Sequence, residues 1–396
     1  MLADVIASMS ASTSSVRLAA RPRIVIAGGG FAAVESLLAL RSLVRDRVDI
    51  QLVAPDRRLV YRPAATAQPF TGGEPASFDL EEIAADAGAT LRLDRVAAVA
   101  PHVHRLRLAC DATLEYSVLV LAVGARGRAA IPGALTFRDQ RDAPLLRHAL
   151  DHAWAQERHR VVFAGPAGVT WTLPLYELAL QTAAEADERG IAAEIAIATP
   201  ERRPLEVFGP GPSDHVAGLL ADRDIRFLGR MQPSAVRRDG LALLYEGLLP
   251  AEAVIAVPRL AGQRISGVPA DWNGFALTDD LGRVEGSPDV YAAGDMTRYP
   301  VKQGGLAVQQ AEGVARTVAA GLGAELEPQP TQPILRARLI GAGAPLYLQV
   351  ALDASGRPVV DGEVLPETEE PPWWPGAKVF GRHLAPYLAE RLARAA

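Results

Sequence analysis

A short run of small residues near the start of the chain has the composition of a phosphate-binding turn. Gly28-Gly29-Gly30-Phe31-Ala32-Ala33 fits the pattern G-x-G-x-x-G/A. The first glycine permits a tight turn, Gly30 lets a pyrophosphate approach the backbone, and the small Ala33 lets the following helix pack closely on the strand. The free amides of that helix would then face the phosphates. The run predicts a dinucleotide site, with a purely structural turn as the alternative.

The residues around this turn have the pattern of a βαβ unit. Apolar residues from Val25 to Ala27 predict a strand covered on both faces, and the periodicity from Ala32 to Leu43 predicts a helix. A second strand is predicted at Asp49–Ala54, parallel to the first. The acidic residue expected at its end is missing, because Asp56 stands two residues late. Asp56 could reach a ribose hydroxyl or begin a turn.

A second unit of the same kind begins at Val161 and continues to a strand at Glu194–Ala198. The predicted fold class is therefore α/β, with two Rossmann-like doubly wound domains and a small α+β C-terminal unit. The second domain is inserted into the first. Residues 1–22, rich in Ser and Ala, are predicted to be a disordered tail, with a targeting peptide as the alternative. The predicted limits are 23–145 and 255–330 for the split domain, 146–254 for the inserted domain and 331–396 for the C-terminal unit.

Composition narrows the range of functions. The 396 residues are 49% apolar and carry a formal net charge of −5, which gives no reason to expect a nucleic-acid partner. The single cysteine, Cys110, excludes an intramolecular disulfide and a CxxC redox pair, and we interpret it as a small apolar filler. The histidines have no metal-ligand spacing, so no metal is predicted. No apolar run reaches the ~18–20 residues that span a bilayer, and a cytoplasmic location is expected.

Two further segments carry a family resemblance. Val118–Ala125 reads VLVLAVGA, and Asp289–Ala311 reads DVYAAGDMTRYPVKQGGLAVQQA. With the first glycine turn they resemble, in order, the fingerprints of the two-dinucleotide-domain flavoproteins, closest to type II NADH dehydrogenases and sulfide:quinone oxidoreductases. The resemblance implies FAD in the split domain and NAD(P)H in the inserted one. It also implies an oxidoreductase that passes electrons from NAD(P)H through the flavin to a quinone-like acceptor.

The resemblance further implies which residues contact the flavin. Asp295 would bind the ribityl chain, with a turn or cap residue as the alternative. Lys302, one of only two lysines in the chain, is predicted as the catalytic residue, because a cation beside the flavin ring stabilises its anionic reduced form. A solvated surface lysine is the alternative. The predicted flavin contacts are Gly28, Gly30, Phe31, Ala32, Ala54, Asp56, Arg62, Val96, Ala122, Gly124, Gly294, Asp295, Gly305 and Leu306.

The second glycine turn departs from the family pattern. Relatives read GGGPTGVE where this chain has Phe163 to Thr170, so Phe163 stands at the tight-turn glycine. Pro174 falls where the helix should run, which requires a kink or a late start. One interpretation is that NAD(P)H still binds here, and the other is that only the fold is kept and the reductant is different. The residues predicted for the nicotinamide nucleotide are Gly165, Ala167, Gly168 and Glu201.

The end of the next strand does not choose between the two nicotinamide nucleotides. Glu201 would hold a 2′-hydroxyl and favour NADH, whereas Arg202 and Arg203 would hold a 2′-phosphate and favour NADPH. A charged surface turn explains the same residues. The preferred nucleotide therefore stays open.

The C-terminal end combines tryptophans with a basic, amphipathic sequence. Trp373-Trp374-Pro375 precedes apolar residues at every fourth position, and Pro386 predicts a division into two short helices. These helices could contact a membrane peripherally on its inner face, or pack on their own flavin domain. The recurring apolar residues are Phe380, Leu384, Leu388 and Leu392.

Other functions compete with NAD(P)H oxidation. The resemblance implies that sulfide oxidation needs cysteines, so one cysteine disfavours it. A quinone-linked dehydrogenase of a non-nicotinamide donor is one alternative, and a flavin-bound redox sensor or scaffold is another. The predicted partners are a small-molecule electron donor and acceptor, and the oligomeric state is left open.

Overall fold

The computed structural model describes residues 21–341, 343–365, 372–373 and 377–395. The predicted tail up to residue 20 lies outside the described residues, as do Trp374 and Pro375. The helices are α1 (Phe31–Val44), α2 (Gln68–Thr71), α3 (Leu80–Asp86), α4 (Ala143–Trp154), α5 (Leu173–Glu188), α6 (Pro210–Ala221), α7 (Gly304–Gly321) and α8 (Leu384–Ala395). The strands are β1 (Arg23–Ala27), β2 (Asp49–Ala54), β3 (Arg58–Val60), β4 (Ser77–Asp79), β5 (Thr90–Leu93), β6 (Val96–Ala100), β7 (Arg105–Leu108), β8 (Thr113–Glu115), β9 (Val118–Leu121), β10 (Arg126–Arg128), β11 (Leu135–Thr136), β12 (Arg160–Ala164), β13 (Glu194–Ala198), β14 (Arg226–Leu228), β15 (Pro233–Arg237), β16 (Gly240–Leu243), β17 (Gly247–Pro250), β18 (Ala253–Ala256), β19 (Arg259–Ala261), β20 (Val290–Ala292), β21 (Ile334–Leu339), β22 (Leu346–Ala351) and β23 (Glu363–Leu365).

The first sheet is parallel, with the strand order β20-β9-β1-β2-β5. Both of its faces are covered, which explains the continuous apolar runs in β1 and β9. Ile24 and Ile26 face the core formed with α1 and α7. Val25 and Ala27 face the opposite core, which includes residues of the antiparallel sheet β6-β7-β8.

The second sheet repeats this arrangement in the order β11-β18-β12-β13-β14. Val161 and Phe163 face the core that includes α4 and α5, whereas Val162 and Ala164 face residues of the antiparallel sheet β15-β16-β17. The predicted α/β class with two Rossmann-like units is confirmed. The domain limits stay a prediction, and we note that β11 and β18 belong to the second sheet.

The chain crosses between the two sheets twice, and the two crossings pair. β10 follows β9 of the first sheet, and β19 follows β18 of the second. They form a two-stranded antiparallel ribbon, which we call the crossover ribbon (Arg126–Arg128 and Arg259–Ala261). The ribbon therefore lies at the junction of the two units.

The C-terminal unit packs on both domains. Its antiparallel sheet β21-β22-β23 contributes Leu335 and Leu348 to the same core as α5. Leu384 and Leu388 of α8 are buried in the core of the first domain. Glu35 of α1 is buried and accepts the amide of Leu384 at 2.7 Å, at the start of α8.

The prediction of two short C-terminal helices is wrong. Pro386 is the third residue of one helix, α8, where its missing amide has no intrahelical partner to lose. Tyr387 donates to Asp86 at 2.7 Å, and Arg391 pairs with Glu82 at 2.7 Å. These contacts support packing on the chain's own first domain. Among the described residues, none of the helices is long and apolar enough to cross a membrane.

Candidate functional site

A cavity of about 890 Å³ lies beside the carboxyl ends of β1, β9 and β18, where open α/β sheets bind ligands. Its walls come from both domains and from the C-terminal unit. Ala54, Gly294, Gly305 and Leu306 of the predicted flavin contacts are not in its lining. The predicted residues that do line it are Gly28, Gly30, Phe31, Ala32, Asp56, Arg62, Val96, Ala122, Gly124, Asp295 and Lys302.

The first glycine turn is shaped by close backbone approach. Gly28 has φ +139°, and a Cβ there would lie 2.2 Å from the carbonyl oxygen of Ala122, so only glycine fits. Gly30 caps α1, which begins at the next residue. A Cβ at Gly30 or at Gly124 would meet nothing within 4 Å, so both face open space in the cavity. The turn and the helix N-terminus thus form a cradle that a side chain would fill.

Two of the predicted glycines act in packing. Gly294 has φ +78°, and a Cβ there would lie 3.0 Å from the Cβ of Ala32 on α1. A Cβ at Gly305 would lie 2.8 Å from Oε1 of Gln303, which caps α7 by accepting the amide of Leu306 at 2.9 Å. These residues hold α7 in place behind the cavity wall.

Asp295 and Lys302 both line the cavity, and the charge of each affects the pKa of the other. Burial raises the pKa of Asp295, and the charge of Lys302 opposes that rise. Burial lowers the pKa of Lys302 to about 8, against the charges of Asp295 and Asp271. The ammonium donates to the carbonyl of Thr297 and lies 3.9 Å from the ring centroid of Phe275. Lys302 is therefore a positioned cation and not a solvated surface lysine.

The second glycine turn has a different register from the one expected. Phe163 is buried within β12, and Gly165, two residues later, takes the place of Gly28. Both glycine amides donate to the neighbouring strand at 2.8 Å, Gly28 to Val53 and Gly165 to Ala198. The assignment of Phe163 to the tight-turn glycine is therefore wrong, because strand pairing and not the glycine pattern sets the register.

The helix after this turn starts late. α5 begins at Leu173, with Pro174 in its first turn, so the proline removes no helical hydrogen bond. Gly168 and the residues from Val169 to Trp171 line the cavity, whereas Gly165 and Ala167 do not. Of the four residues predicted to bind the nicotinamide nucleotide, only Gly168 lines the cavity.

Glu201 faces the protein interior. Its carboxylate accepts from the hydroxyls of Tyr176 at 2.7 Å, Thr172 at 2.8 Å and Thr199 at 3.1 Å. Burial raises the pKa of Glu201 to about 7, and the three hydroxyl donors oppose that rise. Glu201 does not line the cavity, and nearby Arg203 pairs with Asp214 at 2.8 Å.

An ion pair that the sequence analysis missed lies in the same cavity. Lys378 donates to both carboxylate oxygens of Glu177, at 2.6 and 2.8 Å, and both side chains are buried. Thr66 donates to the same carboxylate at 2.8 Å, and the amide of Ile340 at 2.9 Å. The available signal was that Lys378 is the second of only two lysines, and both lysines line this cavity.

Cys110 is exposed and is not part of the cavity lining. Its assignment as an apolar filler is therefore wrong, because it lies at a surface turn with its sulfur 3.5 Å from Nη2 of Arg92. The described residues hold no group of three or more potential metal ligands.

Comparison with known proteins identifies a family that matches most of this chain. Residues 22–315 match the family described as pyridine nucleotide-disulphide oxidoreductase. The chain belongs to this family. Its members bind a flavin and a nicotinamide nucleotide in general, which agrees with the two glycine turns. The predicted family resemblance is confirmed.

Three relatives illustrate the similarity. The alternative NAD(P)H-ubiquinone oxidoreductase C1 of Arabidopsis thaliana, chloroplastic/mitochondrial, is 26% identical over 329 residues, which are 69% of this chain and 61% of that protein. The sulfide:quinone oxidoreductase of Aquifex aeolicus has a TM-score of 0.77 at 18% identity, covering 87% of this chain and 86% of the other. NDH2 from Plasmodium falciparum has a TM-score of 0.57 at 16% identity, covering 70% and 64%. The two structural similarities show a shared fold.

Proposed function

We propose that the protein is an FAD-dependent oxidoreductase that passes electrons from NAD(P)H to a quinone-like acceptor without redox cysteines. The observation that carries this proposal is that one cavity contains both the first glycine cradle and part of the second turn. A nicotinamide beside Gly168 would then meet the flavin ring directly, so no thiol relay is needed. The relative from Arabidopsis thaliana is named for this activity, and the chain spans 61% of its length.

The residues present fit FAD. The open space at Gly30 and Gly124 suits a pyrophosphate against the amides at the start of α1. Asp295 is an acceptor in the cavity wall that suits a ribityl hydroxyl, and Asp56 suits a ribose hydroxyl. Ala54 packs under the turn, since a Cβ at Gly29 would lie 3.0 Å from it.

When bound, the flavin supplies hydride acceptance from the donor and electron delivery to the acceptor. Lys302 holds a positive charge at the cavity wall, which would stabilise the negative charge that reduction leaves on the ring. The ion pair of Glu177 and Lys378 fixes the C-terminal unit against α5 and also borders the cavity. These groups would orient the ring and stabilise its charge from the cavity wall.

A second candidate is a quinone-linked dehydrogenase whose donor is not a nicotinamide. The buried position of Glu201 and the late start of α5 favour it, because both remove parts of the usual nucleotide site. The exposed Cys110 outside the cavity gives no support to sulfide chemistry at the flavin.

Two measurements test the proposal. Release of the flavin by denaturation and its chromatographic comparison with FAD and FMN standards should identify FAD. A steady-state assay of the holoprotein with a short-chain quinone should then show turnover with NADH or NADPH. Turnover with neither nucleotide, while the enzyme still reduces the quinone after chemical reduction of its flavin, would contradict the nicotinamide half of the proposal.

A further inference from the structure

The crossover ribbon carries arginines that lack the acidic partners expected of them. Arg128 and Arg259 are direct cross-strand partners, and Arg126 lies two residues from Arg128 on the same face. All three are exposed, and in the described part of the chain none has a carboxylate partner. Like charges directly opposite each other destabilise a strand pair. An anion on this face would remove that repulsion.

The ribbon forms one rim of the cavity. Arg126 and Arg259 line it, together with Arg264 and the exposed indole of Trp272. Trp272 is 86% exposed, yet its backbone is anchored to the ribbon side, because Arg264 donates to the carbonyl oxygens of Asp271 at 2.9 Å and Trp272 at 3.2 Å. Arg126, Arg259 and the indole of Trp272 therefore border the same cavity, whereas Arg128 lies on the same ribbon face outside its lining.

The charge of the cavity exceeds what one flavin needs. The whole chain carries a net charge of −5, but ten cationic side chains line the cavity against four acidic ones. The acidic side chains are Asp56, Asp94, Glu177 and Asp295. The first glycine turn already offers amides for the flavin pyrophosphate. The ribbon arginines are thus available for a second anionic ligand.

We propose that the crossover ribbon and Trp272 hold the phosphates and the adenine of the nicotinamide nucleotide, in place of the strand end at Glu201. This inference rests on the proposed function. Guanidinium groups bind phosphate oxygens bidentately, and an exposed indole offers a face for adenine stacking. The rim and Gly168 border the same cavity, whereas Glu201, Arg202 and Arg203 are outside it. That concave position favours a nucleotide over a flat protein partner.

The test compares two matched double variants of the oxidised holoenzyme. Arg126→Gln with Arg259→Gln removes the two ribbon charges that line the cavity, and Arg202→Gln with Arg203→Gln removes the charges of the strand end. Titration calorimetry with NAD⁺ and with NADP⁺ gives the Kd of each nucleotide for the wild type and for both variants. We expect the ribbon variant to raise the Kd about tenfold or more, because charge-assisted hydrogen bonds are lost. The control should change it by less than about twofold.

A second readout separates binding from folding. Removing like charges that share one face of the ribbon should leave the Tm of the ribbon variant equal to or above that of the wild type. Nucleotide binding should quench the tryptophan fluorescence of the wild type, and this quench should be much smaller in Trp272→Ala. The reverse pattern, a raised Kd in the strand-end variant and an unchanged one in the ribbon variant, would overturn the inference and leave the proposed function intact. Absence of nucleotide binding to the wild type, with no flavin bleaching by NADH or NADPH, would overturn both.

Discussion

The two glycine turns share a register and differ in how soon the next helix begins. Ala27 pairs with Val53 and Ala164 with Ala198, and each following glycine donates to the neighbouring strand at 2.8 Å. The first turn needs three residues before its helix begins, 28–30, whereas the second takes eight, 165–172. Strand pairing alone thus preserves the βαβ fold, while the phosphate cradle also needs the helix to start at once.

The acidic residues after the two strands show the same difference. Asp56 and Glu201 each stand three residues beyond the equivalent strand positions Val53 and Ala198. Asp56 lines the cavity, whereas Glu201 is enclosed by three hydroxyls. The second domain has therefore kept the residue type and turned it into a packing element. Fold and ligand site are separable in this chain.

The largest expected effect separates the fold of the first turn from its ligand. Gly28→Val places a side chain 2.2 Å from a carbonyl oxygen at φ +139°, so we expect loss of more than about 3 kcal/mol of unfolding free energy. The Cβ of Gly30→Val would meet no protein atom within 4 Å, so this variant should lower the Tm of the apoprotein far less than Gly28→Val while abolishing FAD retention. Urea denaturation and flavin content measure the two. Full flavin content in Gly30→Val would contradict the cradle.

The next effect concerns the helix after the second turn. Lys378→Met leaves the buried Glu177 carboxylate without its cation, and we expect a loss of about 3–5 kcal/mol in urea denaturation. The double variant Lys378→Met with Glu177→Gln removes the stranded charge and should recover most of that loss. Equal stability of the single and double variants would show that the pair is not a coupled buried contact.

Glu201→Gln tests whether the second acidic residue is a packing element. Burial raises the pKa of Glu201 to about 7 from its ordinary 4.5, so the carboxyl's contribution to stability is present at low pH and is lost as the pH rises through 7. The neutral glutamine should be more stable than the wild type by about 2–3 kcal/mol at pH 8 and nearly equal near pH 5. Denaturation at both pH values measures this. A stability difference between the two proteins that does not change from pH 5 to pH 8 would contradict the burial of this carboxyl.

The smallest expected effect concerns the positive charge of Lys302 in the proposed flavin site. Lys302→Met removes a cation from the cavity wall and should lower the flavin midpoint potential by about 30–60 mV at pH 7, the equivalent of one charged contact. Because the pKa of Lys302 is lowered to about 8, the difference from the wild type should shrink above that pH. Lys302→Arg is the control and should keep the potential. An unchanged midpoint potential in Lys302→Met would show that Lys302 does not act on the flavin.

Local patterns in the sequence were sufficient for several strands of the two parallel sheets. Asp49–Ala54 and Glu194–Ala198 were predicted with the bounds observed, because continuous apolar runs between charged turns determine buried parallel strands. The first turn and Asp295 also follow from local motifs, and they line the cavity as expected. Pro386 was misjudged because a proline in the first turn of a helix costs little.

The remainder of the site depends on contacts between distant residues. Glu177 and Lys378 are 201 residues apart, and no local pattern pairs them. The inward orientation of the Glu201 side chain depends on hydrogen bonds from Tyr176, Thr172 and Thr199. The late helix start brings these three residues together. The opposition of Arg128 and Arg259 depends on the register of the crossover ribbon. Tertiary structure alone reveals these features.

An anaerobic titration of the oxidised holoprotein with NADH and then with NADPH, followed by flavin absorbance, tests the central claim most directly. We predict stoichiometric bleaching by at least one of the two nucleotides, because one cavity joins the flavin cradle to the second turn and the ribbon. No bleaching by either nucleotide, with the flavin still reducible by dithionite, would contradict this claim and would show that the second domain has kept the fold without the nucleotide.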